Sequence, residues 1–440
     1  MGFVQTIKNI WKIEDLRTRI LTTIGFVAIY RFGSFVVLPG VNPELLVALQ
    51  TSASTGLLSL LDMFSGGAFA NASIFALGIM PYISASIVMQ LLGIAVPAFQ
   101  KMQREGESGR TKINQYTRYL TVGILLLQGP AYLYGAVGSA IPGGFWDWVL
   151  PSTIILAGGS MFVLWLGERI TDKGIGNGIS FIILIGIIAR LPHALVAEWD
   201  RLVNAPGGLI LLLLELLFLM LVISGAIMLV QGVRKVPVQY AKRVVGNRQY
   251  GGVRQYIPLK VNAANVMPII FAQAIMFIPV TVARFSVQEG GGFWASLMDF
   301  TSFWYNLIFA LLIIAFTYFY TAVTVNPVQM AEDLKRNNGF IPGVRPGKRT
   351  AEYIDTIMSR ITLPGSFFLA LVAIMPAFAG LMGMNSQFAQ FFGGTSLLIL
   401  VGVVLDTLQQ IESHLLMRHY DGFLKSGAKI KGRTGSMAAY

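Results

Sequence analysis

Chemistry needs ionisable or nucleophilic side chains at workable spacing, and this sequence offers few. None of its 440 residues is a cysteine, which excludes disulfides, iron–sulfur clusters and thiolate metal sites. His193, His414 and His419 are scattered and no HExxH occurs, so the zinc-protease pattern is missing. Gly174, Gly176 and Gly178 make a GxGxG, but it sits in a short turn with no strand before it, as a phosphate-cradling loop requires. Gly343–Thr350 (GVRPGKRT) imitates a Walker loop. Its spacing fails, because Pro342 precedes the run and Arg349 follows Lys348. No catalytic constellation emerges, so neither an enzyme nor a bound cofactor is expected. Any work must draw on a partner or a gradient.

The elements that would position a site are apolar spans. The chain is 55% hydrophobic and 12% charged, against roughly 25% charged in soluble proteins. Crossing a bilayer takes about 20 apolar residues. Ten windows of about that length occur: Ile20–Leu38, Ala72–Val96, Tyr119–Val137, Trp148–Leu166, Ile179–Leu195, Gly208–Val230, Ala263–Val282, Phe303–Val325, Ile361–Met382 and Thr395–Ile411. Arg190 and Pro192 interrupt the fifth. Met1–Leu16 carries Lys8, Lys12, Glu14 and Asp15 and no apolar core, which does not read as a cleavable signal.

Charge sets the orientation. Of 33 Lys/Arg, 29 fall in the amino terminus, alternate loops and the tail, three fall on the other side, and Arg31 lies inside the first window. The positive-inside rule then places both termini in the cytosol and requires an even number of spans. The long loops, 232–262 and 326–360, are both on the basic side. They read either as solvated loops obeying topology or as a docking surface for an anionic or RNA-rich partner. Five spans on each side of the middle would give two inverted halves, 1–200 and 201–440.

Leu57–Phe69 (LLSLLDMFSGGAF) is apolar but too short to cross, and Asp62 with Gly66–Gly67 breaks it. Two readings stay open: an interfacial helix, or a segment that half-inserts and packs in a cavity. In the window after it, Pro81 predicts a kink, and Ser84, Ser86 and Gln90 suit a face against protein or water. Arg31, Glu215 and Asp406 are the ionisable candidates within spans. Arg31 needs a partner or backbone carbonyls, Asp406 lies near the cytosolic end, and Glu215 has no evident role.

Several blocks together carry a family resemblance. Ala72–Leu92 (ASIFALGIMPYISASIVMQLL) with Arg104–Tyr119 (REGESGRTKINQYTRY), Trp165–Ser180 (WLGERITDKGIGNGIS), Phe340–Gly347 (FIPGVRPG) and Gly393–Ile399 (GGTSLLI) occur in order across the chain. They resemble the landmarks of bacterial SecY, the pore-forming family of the Sec export system. The resemblance implies an all-α polytopic membrane protein whose two halves surround a central pore for secretory and membrane-protein precursors with signal sequences. It implies a constriction ring of Ile79, Ile83, Ile179, Ile183, Ile270 and Ile399. The spacing of Ile79 with Ile83 and of Ile179 with Ile183 puts each pair on one helix face, and such a ring can dewet yet deform.

The resemblance also implies a plug, carried here by Leu57, Leu58, Leu60, Leu61, Asp62, Met63, Phe64, Ser65, Gly66 and Gly67. A lateral gate would include Pro81, Ser84, Ser86, Gln90, Pro268 and Gln273 and open to the lipid bilayer. Docking of a SecA motor ATPase and of the ribosome would use Lys242, Arg243, Arg248, Arg345 and Lys348. SecE-like and SecG-like small membrane subunits and a place in the bacterial cytoplasmic membrane are likewise implied. Two departures stand out. Where the family often has paired arginines before Tyr250, this chain has Asn247, Arg248 and Gln249, and its tail, Gly432–Tyr440, differs too. The main rival is a secondary transporter for a small solute, which would use a polar midplane site with an ionisable group.

Overall fold

The computed structural model describes residues 11, 13–41, 62–137, 143–203, 208–240, 243–245, 248–250, 254–273, 275–276 and 301–425. Helix α1 (Glu14–Gly33) places Glu14 and Asp15 in its first turn and Arg31 in its last, in register with the helix dipole. The second expected span begins later than its apolar window. Residues 72–79 form turns whose backbone pairs with residues 36–38, Leu38 N donating to Ala72 O at 2.9 Å and Ile74 N to Val36 O at 3.0 Å. Helix α2 (Met80–Ala95) follows, with Pro81 in its first turn. There the missing N–H has no helical partner to lose, so Pro81 starts the helix instead of kinking it.

Pro97 opens α3 (Pro97–Arg104), bent by 102° from α2. Helix α4 (Glu107–Tyr132) widens into a π-helical turn at Leu133–Val137. A similar turn at Phe145–Val149 leads into α5 (Leu150–Lys173). The fifth window is not interrupted: α6 (Gly178–Val203) runs 26 residues through Arg190 and Pro192. Helix α7 (Gly208–Gln231) is apolar all round, with Ile210, Leu217, Met220 and Met228 each about 70% exposed or more, as a lipid-facing helix should be.

The first basic loop holds strands, which the sequence reading did not foresee. Strand β1 (Val233–Tyr240) pairs antiparallel with β4 (Arg254–Lys260), while β2 (Arg243–Val245) pairs with β3 (Arg248–Tyr250). Val236 and Val238 alternate inward on β1, the period of a half-buried strand. Residues 267–273 are helical. Helix α8 (Phe303–Thr324) comes next, then α9 (Pro327–Arg336), whose Asn326 cap accepts from Val328 N and Gln329 N. Strand β5 (Gly339–Phe340) joins the other edge of β1, giving the order β4–β1–β5. The two basic loops are therefore one structure, with Val236, Val238, Leu259, Leu334, Ile341, Ile354 and Met358 as its own small core. Helix α10 (Lys348–Leu381) rises from it for 34 residues, and α11 (Gly394–Lys425) ends the described chain.

Six helical stretches among the described residues are long and apolar enough to cross a membrane, and the bent α2–α3 pair makes a seventh. The chain is thus a helical, multi-pass membrane protein. Helix α1 and the second half of α4 occupy two more expected windows, and the window Ala263–Val282 runs past the described residues. Helix α5 packs on α1, α4 and α6. Helix α11 lies against both α6 and α7.

Candidate pore site

The centre of the molecule is an apolar cluster to which distant parts of the chain contribute. Ile79 precedes α2, Ile183 sits on α6 and Ile399 on α11, and all three are buried. Ile83 and Ile179 pack against them partly buried. Met63, Phe64 and Ala68 belong to the same cluster. Five of the six expected ring positions are therefore brought together. Ile270 is half-buried; Val266, one turn earlier, packs against the cluster.

Of the expected plug residues, Leu57, Leu58, Leu60 and Leu61 lie outside the described residues. Asp62, Met63, Phe64 and Ser65 are buried, as are Gly66 and Gly67. This part of the segment is no interfacial helix, because its apolar side chains enter the core. Burial of Met63 and Phe64 contributes roughly 1.5–3 kcal/mol each, before the loss of side-chain freedom.

Polar contacts define its seat. Tyr30 Oη donates to Ser65 O at 3.1 Å and Arg31 Nη1 to Gly66 O at 2.8 Å. Arg31 thus has the carbonyl its depth requires. Asp62 Oδ1 accepts from Ala70 N at 2.8 Å and closes the local turn. Its Oδ2 accepts from Arg190 Nη2 on α6. At Gly66 and Gly186 backbone meets backbone. A Cβ on Gly186 would lie 2.7 Å from Phe64 O, and one on Gly66 2.8 Å from Gly186 Cα. Gly66 also has φ +65, where glycine carries no steric penalty. Arg31, Asp62, Asn71, Arg190, His193 and Gln387 line a cavity of about 340 Å³ over this seat.

A second ionic cluster lies farther along α6. Arg201 donates to Glu198 and, at 3.1 Å, to Glu215 on α7. It also donates to Gly383 O. Glu198, fully buried, accepts from Asn385 N at 2.8 Å. This supplies the missing account of Glu215. Neither cluster was found from sequence, although a charged residue inside an apolar window, such as Arg190, is itself a signal. Asp406 is exposed.

The remaining expected residues sit as follows. Pro81 and Pro268 are buried, and Ser84, Ser86 and Gln90 are half-buried on α2. Ser84 Oγ donates to Met80 O at 3.2 Å, and Gln273 Nε2 to Thr395 Oγ1 on α11 at 3.5 Å. Lys242 lies outside the described residues. Arg243 and Arg248 fall in the β2–β3 ladder opposite Tyr250 and Val245. Arg345 and Lys348 are exposed, held by a turn in which Thr350 Oγ1 donates to Arg345 O at 2.9 Å. The GxGxG loop is structural. Gly176 N donates to Gln410 Oε1 at 2.9 Å and Gly178 N to Thr171 Oγ1 at 2.9 Å, while Arg19 Nη1 donates to Gly174 O at 3.3 Å.

Comparison with known proteins places the chain in a family. The SecY family model matches residues 73–408. The protein translocase subunit SecY of Streptomyces scabiei is 42% identical over 434 residues, covering 94% of this chain and 98% of that one. Its counterpart in Halalkalibacterium halodurans is 44% identical over 439 residues, covering 96% and 100%. A solved protein-conducting channel shares the fold at TM-score 0.62 and 16% identity, covering 98% of this chain and 100% of that one. The channel of a canine ribosome–channel complex from the endoplasmic reticulum does so at TM-score 0.59 and 15% identity, covering 98% and 100%. The chain belongs to the SecY family.

Proposed function

We infer that this chain is the central, channel-forming subunit of a Sec translocon. It passes unfolded secretory proteins across the membrane and releases apolar segments sideways into lipid. One observation supports the pore reading: isoleucines from three separated parts of the chain share one apolar cluster with Met63, Phe64 and Ala68. An apolar constriction of this kind can exclude ions by dewetting and still yield to a passing chain.

In this reading Ile79, Ile83, Ile179, Ile183, Ile270 and Ile399 form the ring, and 57–67 forms the plug on the outer side. Helix α2 and the segment after residue 262 part as the lateral gate, with Pro81, Ser84, Ser86, Gln90, Pro268 and Gln273 along it. The halves 1–200 and 201–440 are inverted repeats. The chain lies in the bacterial cytoplasmic membrane with both termini cytosolic, and the basic face of the two loops meets the SecA motor or the ribosome. SecE-like and SecG-like subunits complete the complex. The small-solute transporter finds no support: the buried carboxylates Glu198 and Glu215 are both paired with Arg201, and Asp62 with Arg190.

The absence of cysteine gives a direct test. A cysteine at Ile183 and another in a precursor stalled mid-transfer should form a disulfide, dependent on ATP and on the signal sequence. Active export without a crosslink at Ile183 or Ile83 would remove the ring assignment.

A further inference from the structure

We propose that Arg190 is a specificity-determining residue of the outer vestibule: it holds Asp62 while the path is closed, and takes acidic side chains of the passing chain once Asp62 has left. The proposal rests on the plug and ring readings above. Arg190 follows Ile183 by seven residues on one unbroken helix, which places it roughly 10 Å outward and about 20° away on the same face. A chain leaving the ring along α6 therefore meets Arg190 next.

The partners of the two arginines in this vestibule belong to one segment. Arg31 bonds the carbonyl of Gly66, and Arg190 bonds the carboxylate of Asp62. Arg31 keeps a second contact, the Phe35 ring 5.4 Å from its guanidinium carbon. The Nε of Arg190 is buried with no partner among the described residues. When the segment withdraws, Asp62 goes with it, and Arg190 stays because it is built into a spanning helix. Among the described residues, the cavity then keeps two guanidinium groups and loses its one carboxylate. Charges in a half-enclosed cavity interact more strongly than in bulk water. Glutamate and aspartate on the moving chain are attracted there, and lysine and arginine are repelled.

The test uses the full complex in vesicles with the membrane potential dissipated. Two precursors carry one signal sequence and differ only in an acidic or a basic run. In the wild type the acidic form should pass faster, by roughly two- to fivefold if the contact has the strength of an exposed ion pair. Arg190→Gln should shrink that bias to what Arg31 alone supplies, and Arg190→Lys should retain it. The swap D62R with R190E keeps a pair at rest and should take the bias below that of Arg190→Gln, since the new carboxylate at position 190 then offsets Arg31, which also serves if Arg190→Gln fails to assemble. A bias equal to wild type in Arg190→Gln or in the swap overturns the proposal. Deletion of 57–67 separates the two levels of argument. Unchanged resting ion conductance on deletion removes the plug reading itself; raised conductance with the acidic bias lost removes only the role of Arg190, because that role requires the bias to survive once Asp62 is gone.

Discussion

Helix α6 carries two arginines with opposite kinds of company. Arg201 is held by Glu198 on its own helix, by Glu215 on α7 and by the backbone of Gly383. All its partners belong to elements that pack as parts of the body. Arg190 pairs with a single carboxylate, on a segment too short to be a span. The first cluster is a rivet between α6, α7 and the turn at 383–385. The second is a single pair to a short segment, and in the proposed mechanism it is the catch that lets go. Redundancy of partners separates the two.

The largest effect should come from breaking the rivet. Glu198→Ala strips a fully buried carboxylate from Arg201 and from Asn385 N and should cost about 3 kcal/mol. Thermal unfolding of the purified protein in detergent checks this; a loss below about 1 kcal/mol would make the two clusters equivalent. Gly186→Val comes next. Its side chain has no room beside Phe64 O and Gly66 N, so the closing segment must shift, at roughly 1–3 kcal/mol. Resting ion conductance in planar bilayers should rise while precursor transport persists. Asp62→Asn keeps an acceptor for Ala70 N but removes the charge that holds Arg190. It should lower stability by only about 1 kcal/mol and raise resting conductance less than Gly186→Val does. The smallest effect on folding belongs to Arg345→Glu. The residue is exposed, so the melting behaviour should stay within about 0.5 kcal/mol of wild type while motor-driven transport falls.

Much of this was legible in the residues. Apolar windows announced the helices because a spanning helix has few other ways to satisfy its backbone. The need of Arg31 for a carbonyl followed from its depth. The start of α2 was misplaced because apolarity does not distinguish a helix from buried turns: residues 72–79 are apolar, yet Gly78 takes φ +51 and the backbone bonds to residues 36–38. The continuity of α6 was missed because a charge inside a span looks like an interruption until its partner, 128 positions away, is known. The sheet was masked by basic residues, which dominate composition while Val236 and Val238 alternate beneath them. That five expected ring positions converge could be anticipated only by family likeness, since isoleucines of this kind are common packing residues.

The sheet that joins the two basic loops has a mechanical side. Strand β1 meets β4 along seven residue pairs but meets β5 along two. A pull on the Arg345 turn therefore meets only two rungs, but also the side-chain core in which Leu334, Ile341, Ile354 and Met358 pack on Val236, Val238 and Leu259, and it passes straight into α10, which begins at Lys348. Side chains, more than rungs, tie the second loop to the β1–β4 pair.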